Sequence, residues 1–163
     1  MNRLYVVRHA NSCWSNKLLS DYERPLKKSG VKDARQLAQY LKTKKFIPDC
    51  ILYSAANRTT ETAEIIYNVF NEKSIKMIDN KSLYGASAQE VCEVIISANN
   101  NYDSMMLVGH NPTITMLINQ LSDAIIDDVP MAGTAIIDVN ADDLSGKLIE
   151  FIYPKKLNLL KFF

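Results

Sequence analysis

Apolar positions in this chain alternate between short unbroken runs and stretches with helical spacing. The first run, Leu4 to Val7, is aromatic and β-branched throughout, which predicts a strand buried on both faces. Residues 10–26 carry no period, include Asn11, Ser12, Asn16, Ser20, Asp21 and Pro25, and read as a long loop with one helical turn. From Ser29 or Gly30 to about Lys44, Val31, Ala34, Leu37, Ala38 and Leu41 fall on one helical face. Cys50 to Tyr53 predicts a buried strand ending at Ser54. A helix from Arg58 to Phe70 follows, with Asn57 as its N-cap and Ala63, Ile66, Val69 and Phe70 as its apolar face. Ile75 to Ile78 is a weak strand. A helix begins at Ser87 or Ala88, runs through Val91, Val94 and Ile95, and is stopped by Asn99, Asn100 and Asn101. Ser104 to Val108 is a strong strand, followed at once by a helix to Leu121 with Asn111 at the N-cap and Pro112 at the first helical position. After a loop over 123–132, Thr134 to Val139 and Leu148 to Ile152 form a closing strand pair, turned by Asp142, Asp143, Ser145 and Gly146.

Strands that alternate with helices predict an α/β fold. The expectation is a three-layer α/β/α sandwich with a mostly parallel central sheet, helices on both faces, and an antiparallel edge from the final strand pair. No repeat or linker interrupts the 163 residues, so one domain over 1–163 is expected.

Composition narrows the function classes. Hydrophobic residues make up 47% and charged residues 23%, as in ordinary globular chains. A net charge of +1 gives no global field for nucleic acid or an anionic membrane, so any attraction for anions must be local. Cys13, Cys50 and Cys92 are scattered and odd in number, which reads as free thiols in a reducing compartment. Two histidines and no CxxC pair predict no metal site. Neither a secretory leader nor a membrane span is evident, and a cytoplasmic location is expected. The apolar tail from Leu157 to Phe163 is expected to dock on the body.

The unusual residues sit where strands end. Arg8 and His9 follow the first strand, Arg58 opens the helix after the second, and His110 follows the strand ending at Val108. In open α/β sheets, ligands bind outside the carboxyl ends of strands. Helix N-termini there add unpaired N–H groups and partial positive charge. A lone histidine after a strand is commonly a packing or capping residue, and a lone arginine is commonly a solvated charge. Two of each on one rim suit a tetrahedral dianion. A neutral imidazole is a nucleophile toward phosphorus, and forked arginine donors match phosphate oxygens. Nearby positive charge would also keep that imidazole neutral. The scheme needs no metal and no cofactor.

The segments Leu4-Tyr5-Val6-Val7-Arg8-His9-Ala10, Ser54-Ala55-Ala56-Asn57-Arg58-Thr59-Thr60-Glu61-Thr62-Ala63 and Val108-Gly109-His110-Asn111-Pro112 resemble, in order, the motifs of the histidine phosphatase (phosphoglycerate mutase-like) superfamily. The resemblance implies His9 as the phosphorylated nucleophile and Arg8, Arg58 and His110 as the remaining phosphate ligands. Glu23-Arg24-Pro25-Leu26 with Lys28-Ser29-Gly30 is similar to a segment of the SixA-type phosphohistidine phosphatases, as are Leu83-Tyr84 and Gly133-Thr134-Ala135. That likeness makes Arg24 a candidate further anion contact. Many superfamily esterases and mutases carry a glutamate acid near the position of Tyr84, where this chain reads Lys81-Ser82-Leu83-Tyr84-Gly85. A general acid contributes ~10²–10⁴-fold, so its loss would harm alkoxide departure more than departure of an imidazole. Asp21 is the candidate substitute donor. Ala56 also departs from the pattern, without chemical consequence.

The expected function is therefore a metal-independent phosphatase for phosphohistidine on a partner protein domain, releasing phosphate and working as a monomer. The alternatives are a small-molecule phosphomonoesterase with Asp21 as acid, and a phosphate-binding module without turnover.

Overall fold

A computed structural model describes residues 1–98 and 101–160. Its sheet consists of β1 (Arg3–Arg8), β2 (Cys50–Ser54), β3 (Lys76–Asn80), β4 (Ser104–Gly109), β5 (Thr134–Val139) and β6 (Gly146–Ile152). The helices are α1 (Lys28–Thr43), α2 (Asn57–Phe70), α3 (Ala88–Ala98), α4 (Thr113–Leu121) and α5 (Pro154–Leu160). Strand order is β3-β2-β4-β1-β5-β6. The first four strands run parallel, and β5 pairs antiparallel with both β1 and β6.

Side-chain alternation along β1 shows why both sheet faces are covered. Leu4 and Val6 join Leu52, Met105, Leu107, Ala135 and Ile137 under α3 and α4. Tyr5 and Val7 join Ile51, Met106, Val108 and Ile136 under α1, α2 and Leu157 of α5. The near-continuous apolar runs read from the sequence are those of strands buried on both sides. This is the expected three-layer arrangement with a mostly parallel sheet.

Several boundaries differ from the sequence reading. Asn57 is the first residue of α2, and Ala56, with extended backbone, is the N-cap. The Asn57 amide instead donates to the carbonyl of Glu23 at 3.0 Å, tying the preceding loop to the helix. Pro112, not Asn111, precedes α4 as its N-cap, with backbone already helical. Asn111 Oδ1 still accepts from the Thr115 N–H at 3.2 Å. The third strand runs to Asn80, because its register with β2 pairs Ser54 with Asn80. Gly146 is paired with Val139, so it belongs to the last strand rather than to the turn. The predicted stop at Asn99 and Asn100 lies outside the described residues, as does the tail beyond Leu160. Within the described part of that tail, Leu157 is buried, while Leu159 and Leu160 are exposed.

The long loop is closed at its base. Ser12 and Leu26 form an antiparallel bridge, Cys13 N–H donates to the Pro25 carbonyl, and Lys27 N–H donates to the Asn11 carbonyl. Gly30 makes this closure possible. A Cβ there would lie 2.2 Å from the Asn11 carbonyl oxygen. The returning limb carries one turn of 3-10 helix, Asp21–Glu23, whose start is a capping box between Ser20 and Glu23.

Candidate active site

The strand order explains how the candidate residues meet. Arg8 is in register with Gly109 across β1 and β4, and Tyr53 with Val108 across β2 and β4. The residues that follow therefore leave the sheet side by side, with His110 between Ser54 and His9.

His9 is 6% exposed and pinned on several sides. Its N–H donates to the Gly109 carbonyl at 3.0 Å, and its own carbonyl accepts from Ala132 at 3.1 Å. The adjoining Ala10 N–H donates to Thr62 Oγ1 of α2 at 3.1 Å, fastening this backbone to the helix that carries Arg58. Its Nδ1 lies 2.7 Å from the Ala10 carbonyl, which can only accept, so Nδ1 carries the hydrogen and Nε2 the lone pair. Arg58 Nε donates to that Nε2 at 3.3 Å. Burial pushes the His9 pKa down to about 3, with His110, Arg58 and Arg8 adding to the shift and the Ala10 carbonyl opposing it. The ring is neutral at physiological pH.

His110 lies with its ring centroid 5.4 Å from that of His9. Its Nε2 is 2.8 Å from Ser54 Oγ, while its Nδ1 is buried without a partner. Burial, followed by Arg58, lowers its pKa to about 4. Arg8 donates through Nη1 to the Val129 carbonyl at 2.7 Å, with Asp128 3.7 Å away, and its Nε is buried without a partner. Among the described residues, Arg8 Nε and His110 Nδ1 are the two buried side-chain polar atoms left unpaired. Such groups cost about 1–3 kcal/mol each unless something satisfies them. Both belong to the predicted quartet.

Asp21 is the hub of the outer part. Arg58 Nη1 donates to its main-chain oxygen at 2.6 Å and Nη2 to Oδ2 at 3.0 Å. Arg24 donates through Nε and Nη2 to Oδ1, at 3.1 and 2.9 Å. The Tyr84 hydroxyl donates to Oδ2 at 2.6 Å. These partners, Tyr84 foremost, hold the Asp21 carboxyl at about 2, against the desolvation that would raise it. Asp21 is thus an ionised acceptor at neutral pH. Arg24 also donates to Ser12 at 2.7 Å and lies 3.4 Å over the Trp14 ring. It reaches the site through Asp21 rather than toward His9. Tyr84, to which the sequence reading gave no role, packs edge-on against His110, with ring centroids 5.5 Å apart. Ser54, Asp128 and Val129 were likewise unassigned. No local signal points to them, because each acts on a residue distant in the chain.

A groove of about 500 Å³ runs along Lys28, Lys32 and Arg35 of α1. Among the described residues, no group of three or more His, Cys, Asp or Glu side chains is arranged to hold a metal ion. No helix among them is long and apolar enough to cross a membrane.

Residues 4–83 match the sequence profile of the histidine phosphatase superfamily (branch 1). The fold agrees over nearly the whole chain with a candidate phosphohistidine phosphatase SixA from Agrobacterium tumefaciens, at a TM-score of 0.83 and 28% identity, covering 94% of this chain and 98% of that one. Over residues 4–83 the chain is similar to the histidine phosphatase superfamily, and over nearly its whole length its fold is similar to that SixA structure.

Two curated relatives match less of their own length. An uncharacterized chloroplastic protein of Arabidopsis thaliana is 32% identical over 132 residues, 76% of this chain and 61% of that protein. A 2,3-bisphosphoglycerate-dependent phosphoglycerate mutase of Parvibaculum lavamentivorans is 33% identical over 84 residues, 50% of this chain and 40% of the mutase.

Proposed function

We propose that the chain is a phosphatase that removes phosphate from phosphohistidine on a partner protein, through a covalent intermediate at His9. The observation that carries this reading is a neutral His9 whose Nε2 keeps its lone pair and accepts from Arg58, with the His110 ring 5.4 Å away and two buried nitrogens, Arg8 Nε and His110 Nδ1, left unpaired.

In the proposed reaction the Arg58 Nε–H shifts its hydrogen bond from His9 Nε2 to a phosphoryl oxygen. The freed Nε2 attacks phosphorus, forming a P–N bond as the P–N bond to the substrate ring breaks; that ring, protonated on its other nitrogen, leaves as neutral imidazole. The nonbridging oxygens are held by Arg8 Nε, Arg58 Nε and His110 Nδ1–H, the tautomer favoured when Ser54 donates to Nε2. Donors placed in advance stabilise the charge on the transferring group. Phosphorylated His9 becomes cationic, and its Nδ1–H remains bonded to the Ala10 carbonyl. Water then attacks phosphorus, releasing inorganic phosphate and regenerating neutral His9. Protein residues supply every role in this scheme, and it calls on no metal.

The P–N substrate class is supported by the state of Asp21. A carboxyl held at about 2 is a poor proton donor at neutral pH, whereas a departing imidazole needs less acid assistance than an alkoxide. The SixA-type likeness points the same way. The second reading, a small-molecule phosphomonoesterase, is favoured by the partial mutase match. The two separate in one assay: phosphate release from a histidine-phosphorylated carrier domain beside an aryl phosphate, without added metal. Faster release from the carrier supports the proposal. Faster ester hydrolysis moves the reading to the phosphomonoesterase, and phosphate binding without turnover of either moves it to a binding module.

A further inference from the structure

Asp21 touches Arg58 at two points, and those points fix a plane. A guanidinium has three nitrogens at the corners of a rigid planar fork. Asp21 takes the two terminal ones, Nη1 through its carbonyl and Nη2 through its carboxylate. The third, Nε, is left facing His9 Nε2. The carboxylate is itself immobilised, since Arg24 places two donors on Oδ1 and Tyr84 shares Oδ2 with Arg58. A carboxylate offers about four acceptor positions, so this one has none spare for a substrate N–H or hydroxyl. Arg24 in turn is held between Ser12 and the Trp14 ring. The chain of contacts runs from the loop to one nitrogen beside the nucleophile.

We infer that Asp21 is a positioning residue, which orients Arg58 so that Nε rather than the forked terminal nitrogens faces His9 and the phosphoryl group. The inference rests on reading this rim as a phosphoryl-transfer site, and it replaces both a proton-donor and a substrate-contact role for Asp21. A forked approach of Arg58 to phosphate would require Asp21 to give up one or both terminal nitrogens. In this arrangement Arg58 contributes a single aligned donor, and alignment is Asp21's whole contribution.

The test is a double-mutant cycle with Asp21→Asn and Arg58→Lys, read on the phosphohistidine carrier and on the aryl phosphate in parallel. Alone, Asp21→Asn is expected to lower kcat ~10–10²-fold, more than it raises KM, as misalignment near reacting atoms does. In the Arg58→Lys background, which has no fork to orient, the same change is expected to matter by less than about twofold. An undiminished penalty in that background, or an effect confined to KM, overturns the inference. Where Arg58→Lys turns over too slowly to measure, the cycle is read from the Kd for inorganic phosphate under the same criterion of non-additivity. Circular dichroism melts of each variant separate misalignment from unfolding. The wild-type ratio between the two substrates judges the proposed substrate class independently of this cycle.

Discussion

Arg58 Nε donates to His9 Nε2 across 3.3 Å, so the guanidinium marks the lone pair proposed to attack phosphorus. A phosphoryl group arriving at His9 would accept this N–H on one of its oxygens and so free the lone pair. Replacing Arg58 by Ala is expected to lower kcat ~10²–10³-fold, the usual effect of removing one preorganised donor. Lysine should restore little, because a point charge on a flexible stem does not reproduce a held Nε. Steady-state kinetics on the phosphohistidine carrier measure both variants.

Both histidines should remain neutral well below the ordinary histidine range, His9 to about 3 and His110 to about 4. Neither ring should titrate between pH 5 and 8 in an NMR titration of the free protein. A ring titrating near 6.5 would contradict the burial argument.

The same shifts set the acid stability. Both folded pKa values lie below the unfolded value of 6.5, so the unfolded chain binds more protons and stability falls as pH drops below about 6.5. Each histidine contributes up to about 1.4 kcal/mol per pH unit while it titrates only in the unfolded chain. Asp21 works in a lower window: its stabilisation is lost only as pH falls from 3.8 toward 2. Denaturant unfolding between pH 6.5 and 4.5 should therefore show a slope that is reduced in His110→Asn.

Ser54 Oγ sits 2.8 Å from His110 Nε2, and when it donates there the hydrogen of the ring lies on the otherwise unpaired Nδ1. Ser54→Ala leaves Nε2 without this partner and frees the tautomer, at a cost of about 1–3 kcal/mol for the unsatisfied group. Turnover should fall while the fold is retained. Nitrogen chemical shifts of His110 should report the mixed tautomers, and an unchanged Nδ1–H signal would argue against this role.

Gly30→Ala is expected to destabilise the protein by at least about 1–3 kcal/mol, since backbone rather than a flexible side chain must yield. The added Cβ would meet the Asn11 carbonyl oxygen at 2.2 Å. A lower denaturant midpoint with an unchanged m-value is the expected readout.

The elements were legible because periodicity is local: the runs from Leu4 to Val7 and from Ser104 to Val108 announce strands, and the residues just past them announce chemistry. The strand order is not local. Nothing near Ser54 shows that β4 lies beside β2, and so nothing shows that Ser54 meets His110. The 63-residue separation of Tyr84 from Asp21 hides their hydrogen bond in the same way. Asp21 itself stood out as a carboxylate in a loop, but its ionised state depends on two arginines and a tyrosine brought in by three different segments. The cap positions failed for a smaller reason. Asn57 and Asn111 found side-chain partners within and beyond their turns, and the backbone cap fell to Ala56 and Pro112.

The most direct test is a rapid quench of the wild-type protein with a carrier domain bearing isotopically labelled phosphohistidine, followed by peptide mapping under alkaline conditions that preserve P–N bonds. The account expects transient label on His9, formed fast enough to lie on the path to free phosphate and lost in His9→Ala together with turnover. Phosphate released from the carrier with no label on His9, or turnover that survives His9→Ala, would contradict it.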